Sequence, residues 1–125
     1  MGLPVSSLYD TNILVDYLKG VPQARDLLQA DTDPAISLVT WMEVMVGAED
    51  EAEEVTLRRW LNGFRQLAID RPVAHRAAVL RRHRRIRLPD AIIMASAEVG
   101  NRILITRNTR DFSEGTVGVQ VPYQL

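Results

Sequence analysis

Four acidic residues occupy positions from which side-chain oxygens could be gathered. Asp10 directly follows an apolar run that reads as a strand, and Glu43 lies about one helical turn after a second such run. Asp90 falls in the first turn of a helix that precedes a third apolar run, and Asp111 follows that run by a few residues. Each acid has a structural reading. Asp10 suits the N-cap of the helix after it. Glu43, three residues after Thr40, fits a capping box. Asp90, beside Pro89, is a favourable first-turn anion, and Asp111 suits an Asx turn. Together they imply more. If the apolar runs form a parallel sheet, the carboxyl ends of its strands share one edge, and all four acids converge there. Unpaired carboxylates in one place repel, and some would keep their protons at neutral pH. A hard divalent cation removes that conflict. Magnesium takes oxygen ligands, and such ions act on phosphate esters by orienting a water and offsetting phosphate charge.

The elements that must position these acids can be read from the pattern. Val5–Tyr9 reads as a strand, broken by Asp10-Thr11-Asn12. Ile13, Leu14, Tyr17 and Leu18 then form a helical stripe ending near Gly20, and Pro22 opens a short helix holding Ala24, Leu27 and Leu28. Ala35–Leu38 reads as a second strand, and Thr40 as the cap of a helix running to about Ala48. Residues 49–67 continue helically, with acids early and arginines late, as the helix dipole favours. Leu67–Ile69 reads as a third strand, Val73–Arg85 as an arginine-rich helix, and Pro89–Val99 as a helix closed by Gly100. Arg102–Thr106 and Val117–Val121 complete a set of five strands. Strands alternating with helices predict a mainly parallel sheet covered on both faces.

Composition narrows the chemistry. The 125 residues suit one domain, 1–125, with no repeat or linker. There is no cysteine, which excludes a thiol nucleophile, a disulfide scaffold and a cysteine-ligated metal, and fits a reducing, cytoplasmic setting. No apolar run reaches a membrane span, and Met1–Tyr9 lacks the basic flank of a signal peptide. His75 and His83 both fall in the arginine-rich helix and read as surface residues, without the company a zinc site needs. A net charge of −1 excludes a generally basic nucleic-acid coat. Of the 15 basic residues Lys19 is the only lysine, so the other 14 are arginine.

Four stretches carry a family resemblance. They are Tyr9-Asp10-Thr11-Asn12-Ile13-Leu14, then Ser37–Gly47 with Thr40 and Glu43, then Leu88-Pro89-Asp90-Ala91 through Ala97, and last Ile105-Thr106-Arg107-Asn108-Thr109-Arg110-Asp111-Phe112. In order and spacing this set resembles the PIN-domain family, and within it the VapC-type ribonuclease toxins of toxin–antitoxin pairs. The resemblance implies an α/β fold: a three-layer α/β/α sandwich around a five-stranded, mostly parallel sheet. It implies RNA phosphodiester hydrolysis with Mg²⁺ or Mn²⁺ held by Asp10, Glu43, Asp90 and Asp111, and supporting polar roles for Thr11, Asn12, Thr106 and Asn108. Some relatives carry an aspartate at the Asn108 position; with an amide here, Asp111 becomes the fourth carboxylate. Relatives form homodimers, and their antitoxins lay an amphipathic segment into an apolar groove, for which the helices around Trp41 and Trp60 are the candidates.

Two other classes share parts of the pattern. A receiver or phosphatase-like α/β domain also places an aspartate after its first strand, but uses a late lysine; here the late loop offers Arg107 and Arg110. A non-catalytic PIN-like binding domain would keep the acids for folding alone. Arg81, Arg82, Arg84 and Arg85 crowd one segment that runs into Asp90. They read either as a solvated helix face or as a phosphate track leading RNA to the acids.

Overall fold

The computed structural model describes residues 6–113 and 115–125. Five short strands form one sheet in the order β3-β2-β1-β4-β5, and every pairing is parallel. They are β1 (Ser7–Tyr9), β2 (Ala35–Ser37), β3 (Arg65–Leu67), β4 (Ile103–Ile105) and β5 (Val119–Gln120). Val5, the expected start of the first strand, lies outside the described residues. The helices are α1 (Thr11–Leu18), α2 (Pro22–Ala30), α3 (Leu38–Val46), α4 (Glu51–Leu61), α5 (Arg71–Arg84) and α6 (Leu88–Val99). The expected α/β/α sandwich is therefore the observed architecture.

Alternation along the central strands builds the layers. Successive strand side chains point to opposite faces. Leu8 and Leu104 accordingly join one core with Val73, Ala77, Leu80, Ile93 and Met94 of α5 and α6. Their neighbours Tyr9 and Ile105 join a second core with Ile13, Leu14, Leu28, Val44, Leu57 and Leu61. Helix α6 is apolar nearly all round and buries seven residues, as a helix wedged deep in a domain must. Helix α5 buries only Val73, Ala77 and Leu80, a single stripe, and leaves Arg71, Arg81, Arg82 and Arg84 exposed.

Four boundaries depart from the sequence expectation. The cap of α3 is Ser37, whose hydroxyl accepts from the Val39 amide at 3.1 Å. Thr40 lies fully buried inside that helix, so the Thr40–Glu43 capping box does not exist. Helix α4 stops at Leu61, because Asn62-Gly63 turns the chain before Phe64. β3 starts at Arg65 rather than Leu67, since the Arg65 amide donates to the Pro34 carbonyl at 2.8 Å. It is an edge strand whose Arg65 and Gln66 are exposed, so it lacks the apolar alternation that would reveal it. β5 is likewise an edge, and shorter than the apolar residues around it suggest.

Candidate active site

The strand order places the site. β1 sits at the centre, and the chain leaves it for β2 on one side and reaches β4 on the other. At such a switch point the loops beyond the carboxyl ends diverge and leave a crevice. The Asp10 amide donates to the Ile105 carbonyl at 2.9 Å, which extends the β1–β4 ladder by one step and delivers the Asp10 carboxylate to the crevice floor.

Asp10 is held from three directions. One oxygen, Oδ1, accepts from the Thr11 amide at 2.7 Å, so the capping role is real. The other, Oδ2, accepts from the Thr106 hydroxyl at 2.7 Å and from Asn12 Nδ2 at 3.3 Å. Burial pushes the Asp10 pKa up to about 6, and the nearby Asp90 and Glu43 charges add to the rise against the hydrogen bonds from Thr106 and Thr11. Glu43, exposed on α3, accepts from the Thr11 hydroxyl at 2.7 Å. That bond uses the only Thr11 hydroxyl proton, so at the 2.9 Å contact between Thr11 and Thr40 the buried Thr40 hydroxyl is the donor. A relay Thr40, Thr11, Glu43 thus runs from the core to the cleft.

Asp90, in the first turn of α6, is buried and bonded by Arg87 Nε at 3.3 Å. Its pKa is raised: burial is the main cause, Asp111 contributes, and Arg87 opposes. Asp10, Glu43 and Asp90 line one cavity of about 240 Å³ with Thr11, Asn12, Asn108, Arg87 and Arg110. Asp111 stands at its side. It lines an adjoining hollow with Arg85, Arg87 and Arg110, and is tied to the cleft by Asn108, whose Nδ2 donates to it at 2.9 Å. Three of the four expected acids therefore share the cavity, and the fourth adjoins it. The supporting positions Thr11, Asn12, Thr106 and Asn108 all bond within this network.

The expected arginines divide. Arg85 lines the adjoining hollow, and Arg84 donates to the Asp111 carbonyl at 3.3 Å. Arg81 and Arg82 are exposed on α5 and line neither cavity. His75 and His83 are exposed on the same helix.

One buried network has no counterpart in the sequence expectations. Asp16 of α1 receives Arg107 Nη2 at 2.8 Å and the Tyr123 hydroxyl at 2.8 Å. The Arg107 amide in turn donates to Asn12 Oδ1 at 3.2 Å. Burial pushes the Asp16 pKa up, but hydrogen bonds from Arg107 and Tyr123 outweigh it, and the pKa is lowered. Its only signal in the sequence is a carboxylate set beside Ile13, Leu14 and Tyr17.

As the side chains stand, no three acids or histidines among the described residues converge tightly enough to grip an ion, because Glu43 is turned to Thr11 and Asp90 to Arg87. The donor set around the cavity is nonetheless carboxylate, hydroxyl and amide oxygen, with neither sulfur nor imidazole. That chemistry fits a hard divalent cation.

The model of the PIN domain matches residues 8–116, a span that includes every element of the cleft. The chain belongs to the PIN-domain family. This PIN domain is 35% identical over 113 residues to Ribonuclease VapC10 of Mycobacterium tuberculosis, covering 84% of each chain. A toxin-antitoxin complex from Klebsiella pneumoniae contains a chain with 45% identity and a TM-score of 0.89, covering 96% of this PIN domain and 100% of that chain. FitAcB from Neisseria gonorrhoeae matches at 25% identity and a TM-score of 0.78, over 95% of this chain and 99% of that one.

Proposed function

We propose that this PIN domain is a ribonuclease that hydrolyses RNA phosphodiester bonds with Mg²⁺ or Mn²⁺, and that it is the toxin of a toxin–antitoxin pair. The observation that carries the reading is the convergence of Asp10, Glu43 and Asp90, from three separate segments, on one oxygen-lined cavity at the carboxyl edge of the sheet. The identity to Ribonuclease VapC10 and to a chain of the Klebsiella toxin-antitoxin complex supports it.

Asp10, Asp90 and Glu43 would hold the cation, with Asp111 reaching it directly or through a water. When bound, a divalent ion lowers the pKa of a coordinated water and offsets charge on the scissile phosphate. The chain's own residues do the rest. Thr106, Asn12 and the Thr11 amide fix the Asp10 carboxylate in one orientation. Thr40, through Thr11, holds Glu43 at the edge of the cleft, and Glu43 would turn from Thr11 to reach the cation. Arg87 and Arg110 stand at the rim as partners for phosphate.

An antitoxin segment would find a seat next to this cleft. A groove of about 610 Å³ runs between α1, α3 and α4, lined by Val15, Leu18, Val44 and Leu57, and it begins at Glu43. The tryptophans take no part in its lining: Trp60 is stacked on Tyr17 at 4.8 Å, and Trp41 packs on the inner core.

The test is cleavage of end-labelled RNA by the purified chain with Mg²⁺, with Mn²⁺ and with EDTA. Cleavage that needs the metal and is lost in Asp90→Asn is the expected result. RNA left intact in both metals by the folded parent protein would make this a non-catalytic PIN domain.

A further inference from the structure

The hollow beside the acidic cleft is lined by Arg85, Arg87, Arg110 and Asp111 and has a volume of about 310 Å³. Arg87 and Arg110 line both it and the acidic cavity, so the two are neighbours. Its three guanidiniums come from two segments that are distant in sequence: the turn between α5 and α6, and the loop after β4. Among the described residues, neither Arg85 nor Arg110 forms an ion pair, whereas Arg87 pairs with Asp90. Arg85 and Arg110 thus carry guanidiniums that no carboxylate of the described residues pairs, and an anion seated in the hollow would meet both.

The backbone of the turn adds an independent observation. Arg85 ends α5 in the left-handed region, at φ 54°. Glycine is the usual residue there, because a side chain is strained in that conformation. The next residue, Ile86, is buried in the core, and Arg87 beyond it is exposed. The sequence Arg-Ile-Arg therefore plugs the turn into the core through its middle residue and leaves a guanidinium on either side. Strain retained at an exposed arginine, where glycine would fold more comfortably, points to a role outside folding.

We infer that Arg85, Arg87 and Arg110 form a phosphate subsite, which binds the backbone phosphate of single-stranded RNA next to the one cleaved at the acids. The inference rests on the ribonuclease reading and deepens it. A guanidinium presents a planar fork that matches two phosphate oxygens. The subsite touches only the backbone, so it sets register along the strand and reads no base. Asp111 lines the subsite, and Asn108 ties it to the cleft.

The test uses the full chain in an Asp10→Asn background, which blocks cleavage, with saturating Mg²⁺ and a short single-stranded RNA labelled with fluorescein. Anisotropy titrations over a range of KCl give affinity and its salt slope. Arg85→Gly and Arg110→Gln are each expected to weaken binding roughly tenfold at low salt. Each should also reduce the slope of log K against log salt by about 0.7, the release expected per single-strand phosphate contact. The paired change Arg81→Gln/Arg82→Gln, on the same helix but outside the hollow, should leave the slope at the parent value. Arg85→Gly should melt no lower than the parent protein, because glycine relaxes the left-handed turn; a purely structural Arg85 would lower melting and spare binding. A neutral methylphosphonate placed at successive linkages should cost affinity at one flanking position in the parent and cost distinctly less there in Arg110→Gln. Parent-like salt slopes in both single variants, equal losses in the Arg81/Arg82 pair, or no binding by the background protein would each overturn the subsite. Arginine-dependent binding by a wild-type chain that cleaves no RNA would support the subsite while removing the ribonuclease reading.

Discussion

Asp10 is where burial, capping and charge act on one side chain. Its carboxyl keeps a proton to about pH 6, against 3.8 for the free group. Between those values the folded chain binds more protons than the unfolded chain. Stability of the metal-free protein therefore falls as pH rises from about 4 to about 6, and levels off above. The shift corresponds to at most about 3 kcal/mol. Asp10→Asn should remove this penalty: the metal-free variant should be the more stable protein at neutral pH, and the gap should close near pH 4. Chemical denaturation at both pH values checks this, and a gap independent of pH would show that Asp10 is not held protonated by its surroundings. Glu43 separates shape from charge. It accepts from Thr11 rather than closing a capping box, and it is exposed, so Glu43→Gln should melt within about 2 °C of the parent protein. The same change should lower metal-dependent RNA cleavage by at least about a hundredfold if its charge serves the reaction. Parent-like cleavage would leave Asp10 and Asp90 as the only acids acting in the cavity.

At the scale of elements, the loop after β4 has to hold Thr106, Asn108 and Arg110 in place together. Asp16 of α1 does much of this. Its ion pair with Arg107 pins the loop, and the Arg107 amide fixes Asn12, which in turn bonds Asp10 and Thr106. Tyr123 brings the last segment of the chain to the same carboxylate. Removing one partner from a buried ion pair leaves the other charge uncompensated. Asp16→Asn should therefore destabilise the fold by about 2–3 kcal/mol at neutral pH, below the fully buried case because Arg107 is partly exposed. Asp16 has a lowered pKa, so its contribution is present above the unfolded value and disappears as pH falls through the folded one. The difference between parent and variant should shrink in melts taken below about pH 4. Because the network positions the cleft without touching substrate, cleavage should lose turnover rate, with KM for RNA nearly kept. A variant with parent-like turnover would confine Asp16 to folding.

For the whole molecule, the carboxyl edge of the sheet concentrates negative charge that the protein only partly neutralises, through Arg87 and Arg110. A ligand that binds only the folded state stabilises it by mass action. Mg²⁺ or Mn²⁺ should therefore raise the melting temperature by several degrees, EDTA should reverse the rise, and Asp10→Asn should shrink it. An equal metal response in Asp10→Asn and the parent would mean that the ion binds elsewhere. No helix among the described residues is long and apolar enough to cross a membrane. The groove between α1, α3 and α4 adjoins the acidic cleft at Glu43, so a segment seated there would also limit access to the site.

Sequence alone determined the order of elements and where the acids fall along them, because both are local signals. A short continuous apolar run marks a strand buried on both faces, as in Ile103–Ile105, and a period of 3.6 residues marks a helix, as along α5. Acids just after a strand, or in the first turn of a helix that follows or precedes one, reach one edge in a parallel sheet. The same logic fails at β3, where exposed Arg65 and Gln66 leave no periodicity, and at Thr40, where a good capping residue is buried because Ser37 already ends the strand. The packing of distant segments decided everything else. It set Asp111 beside the cavity rather than within it, and chose Arg85, Arg87 and Arg110 over Arg81 and Arg82 as the basic wall. It also paired Asp16 with Arg107, 91 positions away. Those relations depend on which loops meet at the switch point of the sheet. They follow from the crossing of the chain from β3 back past β2 and β1 to β4, a three-dimensional property that no window of sequence contains.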